Sequence, residues 1–284
     1  KGLSVILGFI GINTALKFSQ NHEVHIIDNF SRKGNSENYK LKSEHNITVH
    51  IQDIRNQNNI EKTWKKIKPE VIIHLAGQVA VTTSVTDPRE DFEINALGTF
   101  NLLECLRKYS PESIFLFSST NKVYGEYEAE IVETEKKYLY KDTVGITEDV
   151  NLDFHSPYGC SKGAADQYVR DYNRIYGLKT VVLRQSCIYG QNQFGIEDQG
   201  WVSWFTIAST FDKKFYVYGD GKQVRDVLFI SDLVDLYEKI IENIDVCSGE
   251  IYNVGGGPKN SLSLLELIEF LETSMNKKLN YSLF

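Results

Sequence analysis

SVILGFIGINTALKFSQNHEVHIID, residues 4–28, reads as strand, glycine turn, helix, strand and an acidic stop. SVIL is a short apolar strand. From about Ile10 to Gln20 the apolar residues recur at helical spacing, and EVHIID (23–28) is again a strand. GFIG, at Gly8, Phe9, Ile10 and Gly11, joins the first strand to the helix. Glycines there let the backbone approach a pyrophosphate, and the helix N-terminus favours its charge. Asp28 stands twenty residues after Gly8, where a carboxylate accepts hydrogen bonds from an adenine ribose. It disfavours a 2′-phosphate and so favours NAD over NADP, while Arg32 nearby keeps NADP from being excluded. One feature departs from the G-x-x-G-x-x-G fingerprint: Leu7 runs directly into Gly8. Either the phosphate site is broken or on the order of four residues of the phosphate loop are absent, and absence is the favoured reading. The spacing therefore predicts a carbon–nitrogen distance from Leu7 to Gly8 longer than a peptide bond.

The same alternation continues downstream. ITVHIQDI (47–54), EVIIHLAG (70–77), SIFLFSS (113–119) and KTVVLRQS (179–186) are apolar runs of strand length. Helical periodicity occupies 60–67, 92–109 and 157–176. Continuous apolar strands separated by helices predict an α/β fold with a parallel, doubly wound sheet. Such sheets bind ligands at the carboxyl ends of their strands. Asp53 and Ile54 follow the third strand and are placed to meet an adenine ring. The charged segment from Glu126 to Asp153 lacks periodicity and reads as an inserted lobe or flap. VLFISDLVDLYEKIIENI (227–244) reads as a strand and helix returning to the sheet. Before the helix in SLSLLELIEFLE (261–272), Ser261 or Ser263 is the cap.

The totals exclude several classes. The chain has 284 residues and a net charge of -7, which argues against a nucleic-acid surface. It has no run of 18 apolar residues, so no membrane span is expected. KGLSVILGFIG is too short and glycine-rich for a signal peptide. Cys105, Cys160, Cys187 and Cys247 have no paired spacing and read as reduced cysteines of a cytoplasmic protein, with no metal site.

SPYGCSK (156–162) opens a predicted helix with proline in its first turn. Tyr158 and Lys162, four apart, lie on one face. An ammonium beside a phenol favours the phenolate, which makes Tyr158 a candidate acid/base. Tyr-x-x-x-Lys alone fits equally a packed tyrosine and a solvated lysine. Trp201 and Trp204 fit either a wall for a sugar or base, or the core.

GFIG, Asp28, HLAGQVAV (74–81), SSTNKVYG (118–125), SPYGCSK and GDGKQVRDV (219–227), in this order, resemble the extended short-chain dehydrogenase/reductase family of nucleotide-sugar epimerases and dehydratases. The resemblance spans nearly the whole chain. It implies a Rossmann-type NAD-binding domain over 1–185, with 224–253 returning to it. A smaller substrate-binding lobe would comprise 186–223 and 254–284. It implies NAD held by Gly8, Phe9, Ile10, Gly11, Asp28, Asn29, Ser31, Arg32, Asp53, Ile54, Leu75, Ala76, Gln78, Ser118, Tyr158 and Lys162. Tyr158 would be the base, Lys162 would lower its pKa and hold the nicotinamide ribose, and Thr120 would bind the reacting hydroxyl. The substrate, a nucleotide sugar with a CDP-sugar favoured, would meet Val79, Thr120, Asn121, Cys187, Gln199 and Arg225, the last at its diphosphate.

The implied reaction is epimerisation, by transient oxidation of a hydroxyl to a ketone and re-reduction. Dehydratases of the family carry Asp-Glu where Asn121 and Lys122 stand. An amide and a protonated amine cannot serve as that acid/base pair, which disfavours elimination. Family 4-epimerases place Asn where Cys187 stands, which weakens a UDP-sugar 4-epimerase, the alternative reading. A catalytically idle NAD-binding protein is the remaining alternative. The resemblance also implies a homo-oligomer, dimer or tetramer, through helices 92–109 and 157–176, and a substrate-contacting segment beyond Phe284.

Overall fold

A computed structural model describes residues 2–5, 8–32, 34–41 and 45–284. The Leu7–Gly8 junction lies outside the described residues. The elements in order are β1 (Gly2–Val5), α1 (Phe9–Phe18), β2 (Val24–Asp28), α2 (Asn35–Lys40), β3 (Ile47–Ile51), α3 (Gln57–Ile67), β4 (Val71–His74), α4 (Val81–Thr86) and α5 (Pro88–Phe92). A π-helical turn (Glu93–Leu97) carries α5 into α6 (Gly98–Tyr109), followed by β5 (Ile114–Thr120), the hairpin β6 (Ile131–Glu133) and β7 (Tyr138–Tyr140), and α7 (Ser156–Tyr176). Then come β8 (Lys179–Gln185), β9 (Cys187–Tyr189), α8 (Trp201–Thr210), β10 (Phe215–Val217), β11 (Val224–Phe229), α9 (Ile230–Glu242) and α10 (Ile244–Cys247). β12 (Ile251–Val254), β13 (Ser261–Ser263), α11 (Leu264–Met275) and β14 (Tyr281–Leu283) complete the order.

Seven parallel strands form the central sheet, ordered β12-β8-β5-β4-β1-β2-β3. The order reverses between β1 and β4, which opens a crevice at their carboxyl ends. Apolar packing covers both faces. Ile60, Trp64, Leu102, Phe115, Phe117 and Val169 pack in one cluster, and Leu116, Leu183, Leu233, Val234 and Tyr237 in another. That two-sided burial is why the strands read as unbroken apolar runs.

Three local readings change. The third strand stops at Ile51, and Asp53 Oδ1 accepts the Arg55 N–H at 2.9 Å in a turn. The helix expected to begin at Phe92 begins at Pro88, where Asp87 accepts the Glu90 N–H at 2.9 Å. β11 does not join the central sheet but pairs parallel with β9 and antiparallel with β13. The strand that returns to the sheet is β12, beside β8. Ser263, not Ser261, caps α11, with Glu266 completing a reciprocal capping box. The segment 126–153 holds the two-stranded hairpin and no helix. Gly125 starts it with φ 63°, and a Cβ there would stand 2.2 Å from Asp153 O. Only glycine fits such a turn against backbone.

Two histidines contribute to the loss of stability between pH 7 and pH 5. His74 is fully buried, its Nε2 2.8 Å from Thr99 Oγ1, and burial holds its pKa well below 6.5. His50 is lowered too, by burial and then by His25 and Lys66. Depressed folded-state values mean the unfolded chain binds more protons. Stability is thus full above about pH 6.5 and falls as the pH drops below it. The urea midpoint should decline from pH 7 to pH 5, and less steeply in His74→Gln.

Candidate functional site

The crevice is a cleft of about 330 Å³. Gly8–Gly11 at the start of α1 line one end, with Arg32, Asn35 and Asn38 beside them. Thr120, Tyr158 and Lys162 line the other, with Leu75, Val79, Ser118 and Asn121. Cys187, Gln199 and Trp201 come from the chain after β8. Although the protein is acidic overall, no Asp or Glu is among the described residues of the lining, while Arg32, Lys122 and Lys162 are. That donor set fits a polyanion such as a dinucleotide with a sugar nucleotide. Asparagine and serine amides and hydroxyls supply the neutral hydrogen-bonding groups.

β5 and α7 place the reacting end. Thr120 is the last residue of β5, and Tyr158 lies in the first turn of α7, which begins with Ser156 at φ 68° and Pro157. Left-handed backbone at a non-glycine residue is a strained conformation of the kind that gathers at functional sites. Tyr158 is 8% exposed. Burial pushes its phenol up to about 12, while a hydrogen bond with Thr120 pulls the other way. Lys162 is 4% exposed, and burial pushes its ammonium down to about 8, opposed by Asp166 and Asp91. Its Nζ donates to Ser118 O at 2.5 Å and lies 4.3 Å from the Phe117 ring centre. Desolvation of the phenolate is the largest influence on Tyr158, and the lysine is anchored on β5.

The remaining sequence candidates divide. Asp28 sits behind the lining, 5% exposed, and accepts from the Phe30 N–H at 2.6 Å and from Asn35 Nδ2 at 3.1 Å. Asn29 donates to Asp53, and Ser31 N–H bonds Asn29 Oδ1. Asp53 is held by Arg55, whose guanidinium brings the carboxyl down to about 2, and Ile54 packs in the core. Neither Asp53 nor Ile54 lines the cleft as the adenine contact expected of it. Ala76 and Gln78 stand just behind the lining, Gln78 Nε2 closing the 77–80 turn on Ala80 O at 2.8 Å. Arg32 and Gln199, expected to serve cofactor and substrate separately, hydrogen-bond each other across the mouth. Arg225 is outside the lining but next to Lys122, whose pKa is lowered by burial first and then by Arg225.

The sequence reading missed several lining residues. Asn35 and Asn38 lie at the start of α2, a helix without a periodic signal. Gln193 is another, and Trp201, read as either wall or core, does line the cleft; buried Gln193 Oε1 and Trp201 Nε1 have no protein partner. Such atoms are costly unless something bonds them. Trp204 packs instead with Phe205 and Phe215 in the cluster under α8 and α11.

Comparison with known proteins gives four findings. Residues 6–255 match the NAD dependent epimerase/dehydratase family. The chain is 47% identical to the CDP-paratose 2-epimerase of Salmonella typhi, over 97% of this chain and 84% of that one. Among solved structures, the UDP-glucose 4-epimerase of Thermotoga maritima with UDP-glucose superposes with a TM-score of 0.81 at 29% identity, covering 99% of this chain and 85% of that one. The UDP-glucose 4-epimerase of Thermus thermophilus in complex with NAD gives 0.82 at 27%, covering 99% and 86%.

Proposed function

The chain belongs to the NAD-dependent epimerase/dehydratase family, and from that premise we propose that it inverts C2 of CDP-paratose to give CDP-tyvelose. The observation that carries this is a cleft whose described lining has three cations and no carboxylate, ending on Thr120, Tyr158 and Lys162. The 47% identity to the Salmonella typhi enzyme supports the choice of sugar nucleotide.

NAD would lie from Gly8–Gly11 to Lys162, with Asp28 and Asn35 on its adenosine side, and when bound it accepts a hydride and gives it back. Thr120 orients the sugar hydroxyl against Tyr158. Tyr158 takes the hydroxyl proton as a ketone forms at C2, and returns it when the carbon is reduced from the other face. Buried as it is, the phenol needs positive charge nearby to ionise, and Lys162 supplies part of it. Lys122 and Arg225 stand where a diphosphate would be gripped. Residues 1–185 and 224–253 form the NAD-binding part, with β11 excepted, and 186–223 with 254–284 the substrate lobe. Exposed Phe92, Tyr168, Ile175 and Tyr176 on the helices of 88–109 and 156–176 support association of two copies through those faces.

Incubation with CDP-paratose should yield CDP-tyvelose with no net change in reduced-nicotinamide absorbance. Conversion of UDP-glucose instead would support a 4-epimerase. No turnover of either, with dinucleotide bound, would support an idle binding protein.

A further inference from the structure

Asp91 has no part in the chemistry above, yet it is 1% exposed. It lies on α5, one helical turn before Asn95 in the π-helical turn. Its Oδ1 accepts from Gln78 Nε2 at 2.9 Å and Asn95 Nδ2 at 3.2 Å, and its Oδ2 from Ser161 Oγ at 2.5 Å. Asn95 in turn holds the Gln78 backbone from both sides. Its Oδ1 accepts the Gln78 N–H at 2.9 Å and its Nδ2 donates to Gln78 O at 3.0 Å. Asn95 Nδ2 also reaches Ser161 Oγ at 3.0 Å. One carboxylate therefore ties the 77–80 turn, which borders the cleft, to the residue preceding Lys162. A Cβ built on Gly77 would stand 3.0 Å from Asn95 Oδ1 and 3.9 Å from Lys162 Nζ, so this network and the ammonium adjoin one small space.

The charges around the pair are few. Lys162 is lowered first by burial and raised by Asp166 on its own helix and then by Asp91, and it bears in turn on His74 of β4, which burial keeps neutral. Tyr158 feels Asp91 as well. α4, packed against α5 and α7, carries no titratable side chain. On the outer face of α5 and the π-helical turn, Glu90 and Glu93 are near Arg55. A buried carboxylate with three donors is expensive to desolvate unless a cation answers it.

We propose that Asp91 is a positioning residue for Lys162, holding the 77–80 turn against the catalytic helix and contributing, beside Asp166, to the buried negative charge near the ammonium. The proposal rests on Tyr158 and Lys162 carrying the chemistry. Asp91→Asn separates charge from clamp. The amide oxygen can still accept from Gln78 and Asn95, and its NH₂ can donate to Ser161 Oγ, which has Tyr158 O at 3.2 Å as its own acceptor.

The test is titration of the full chain carrying ¹³Cε-lysine, with the Lys162 signal identified by its loss in Lys162→Met. In Asp91→Asn the Lys162 midpoint should fall by about one pH unit or more. The pH window of epimerisation should move down at both limbs, because removing a negative charge lowers every neighbouring pKa. Asp91→Glu should restore both. The reciprocal measurement needs no Asn variant: in Lys162→Met the carboxyl ¹³C midpoint of Asp91 should rise. An unmoved Lys162 midpoint in a folded Asp91→Asn protein, or an unmoved Asp91 midpoint in Lys162→Met, overturns the proposal. Neither titration depends on turnover. A shift without epimerisation leaves this inference standing and removes the proposed function, and epimerisation without a shift does the reverse.

Discussion

Tyr158→Phe should lower kcat about 10² to 10⁴-fold, the usual worth of a positioned acid/base, while the fold and nucleotide binding persist. The reasoning is local. The ring is 8% exposed and packs at the start of α7, so a phenylalanine keeps its volume and contacts. Only the hydroxyl that meets Thr120 is lost. Burial pushes that hydroxyl up to about 12, so the same substitution removes a polar group from a desolvated place and should not cost stability. Thr120→Val should also lower kcat, by less, because it removes the hydroxyl that orients the sugar and leaves the base. Steady-state kinetics beside thermal melting separates these effects. A Phe variant that epimerises at the wild-type rate would remove Tyr158 from the reaction.

Asp166→Ala should destabilise the protein by about 3–5 kcal/mol, the usual consequence of leaving one member of a buried ion pair alone. Arg184 on β8 reaches Asp166 on α7 through Nε and Nη2, both at 3.0 Å, and the two side chains are 2% and 0% exposed. The guanidinium also donates to Tyr124 OH at 2.9 Å, and Tyr124 donates to Asn253 of β12 at 2.7 Å. On the other side Ser119 Oγ donates to Asp166 at 2.7 Å. Removing the carboxylate leaves Arg184 charged and dry, and frees Ser119, the neighbour of Thr120. Urea unfolding of Asp166→Ala should show the loss, and a double variant replacing Arg184 by Met as well should recover part of it. A single variant as stable as the wild type would contradict this account of the network.

The strand–helix alternation was legible because both faces of the sheet are covered. Runs such as VIIH and FLF carry the signal without needing any partner's identity. Caps such as Pro157, Gly177 and Ser263 act on their own turn, and so they too could be read. Long-range pairing could not. β11 ends in the apolar run VLF like a central strand, and nothing in that run says that the strand pairs with β9 and β13. Of the cleft lining, the GFIG turn and the Tyr158–Lys162 pair could be read because their spacing is local, while Thr120 came from the family resemblance. Asn35, Asn38, Gln193 and Trp201 reach the cleft only through tertiary packing. Asp91 gave no sign, since one acid among Glu90, Asp91 and Glu93 after Pro88 looks like a solvated helix start. The burial of Tyr158 was not legible for a related reason: sequence spacing gives the neighbour's charge but not the depth of burial.

The central claim is that the chain inverts a carbon by removing and restoring hydride at that same centre. The direct measurement is epimerisation of CDP-paratose deuterated at C2, run in ordinary water and followed by mass spectrometry and proton NMR. The account predicts CDP-tyvelose that keeps its deuterium at C2, with turnover slowed where hydride removal limits the rate. Exchange of that deuterium for solvent hydrogen would mean proton abstraction from carbon, and would contradict it.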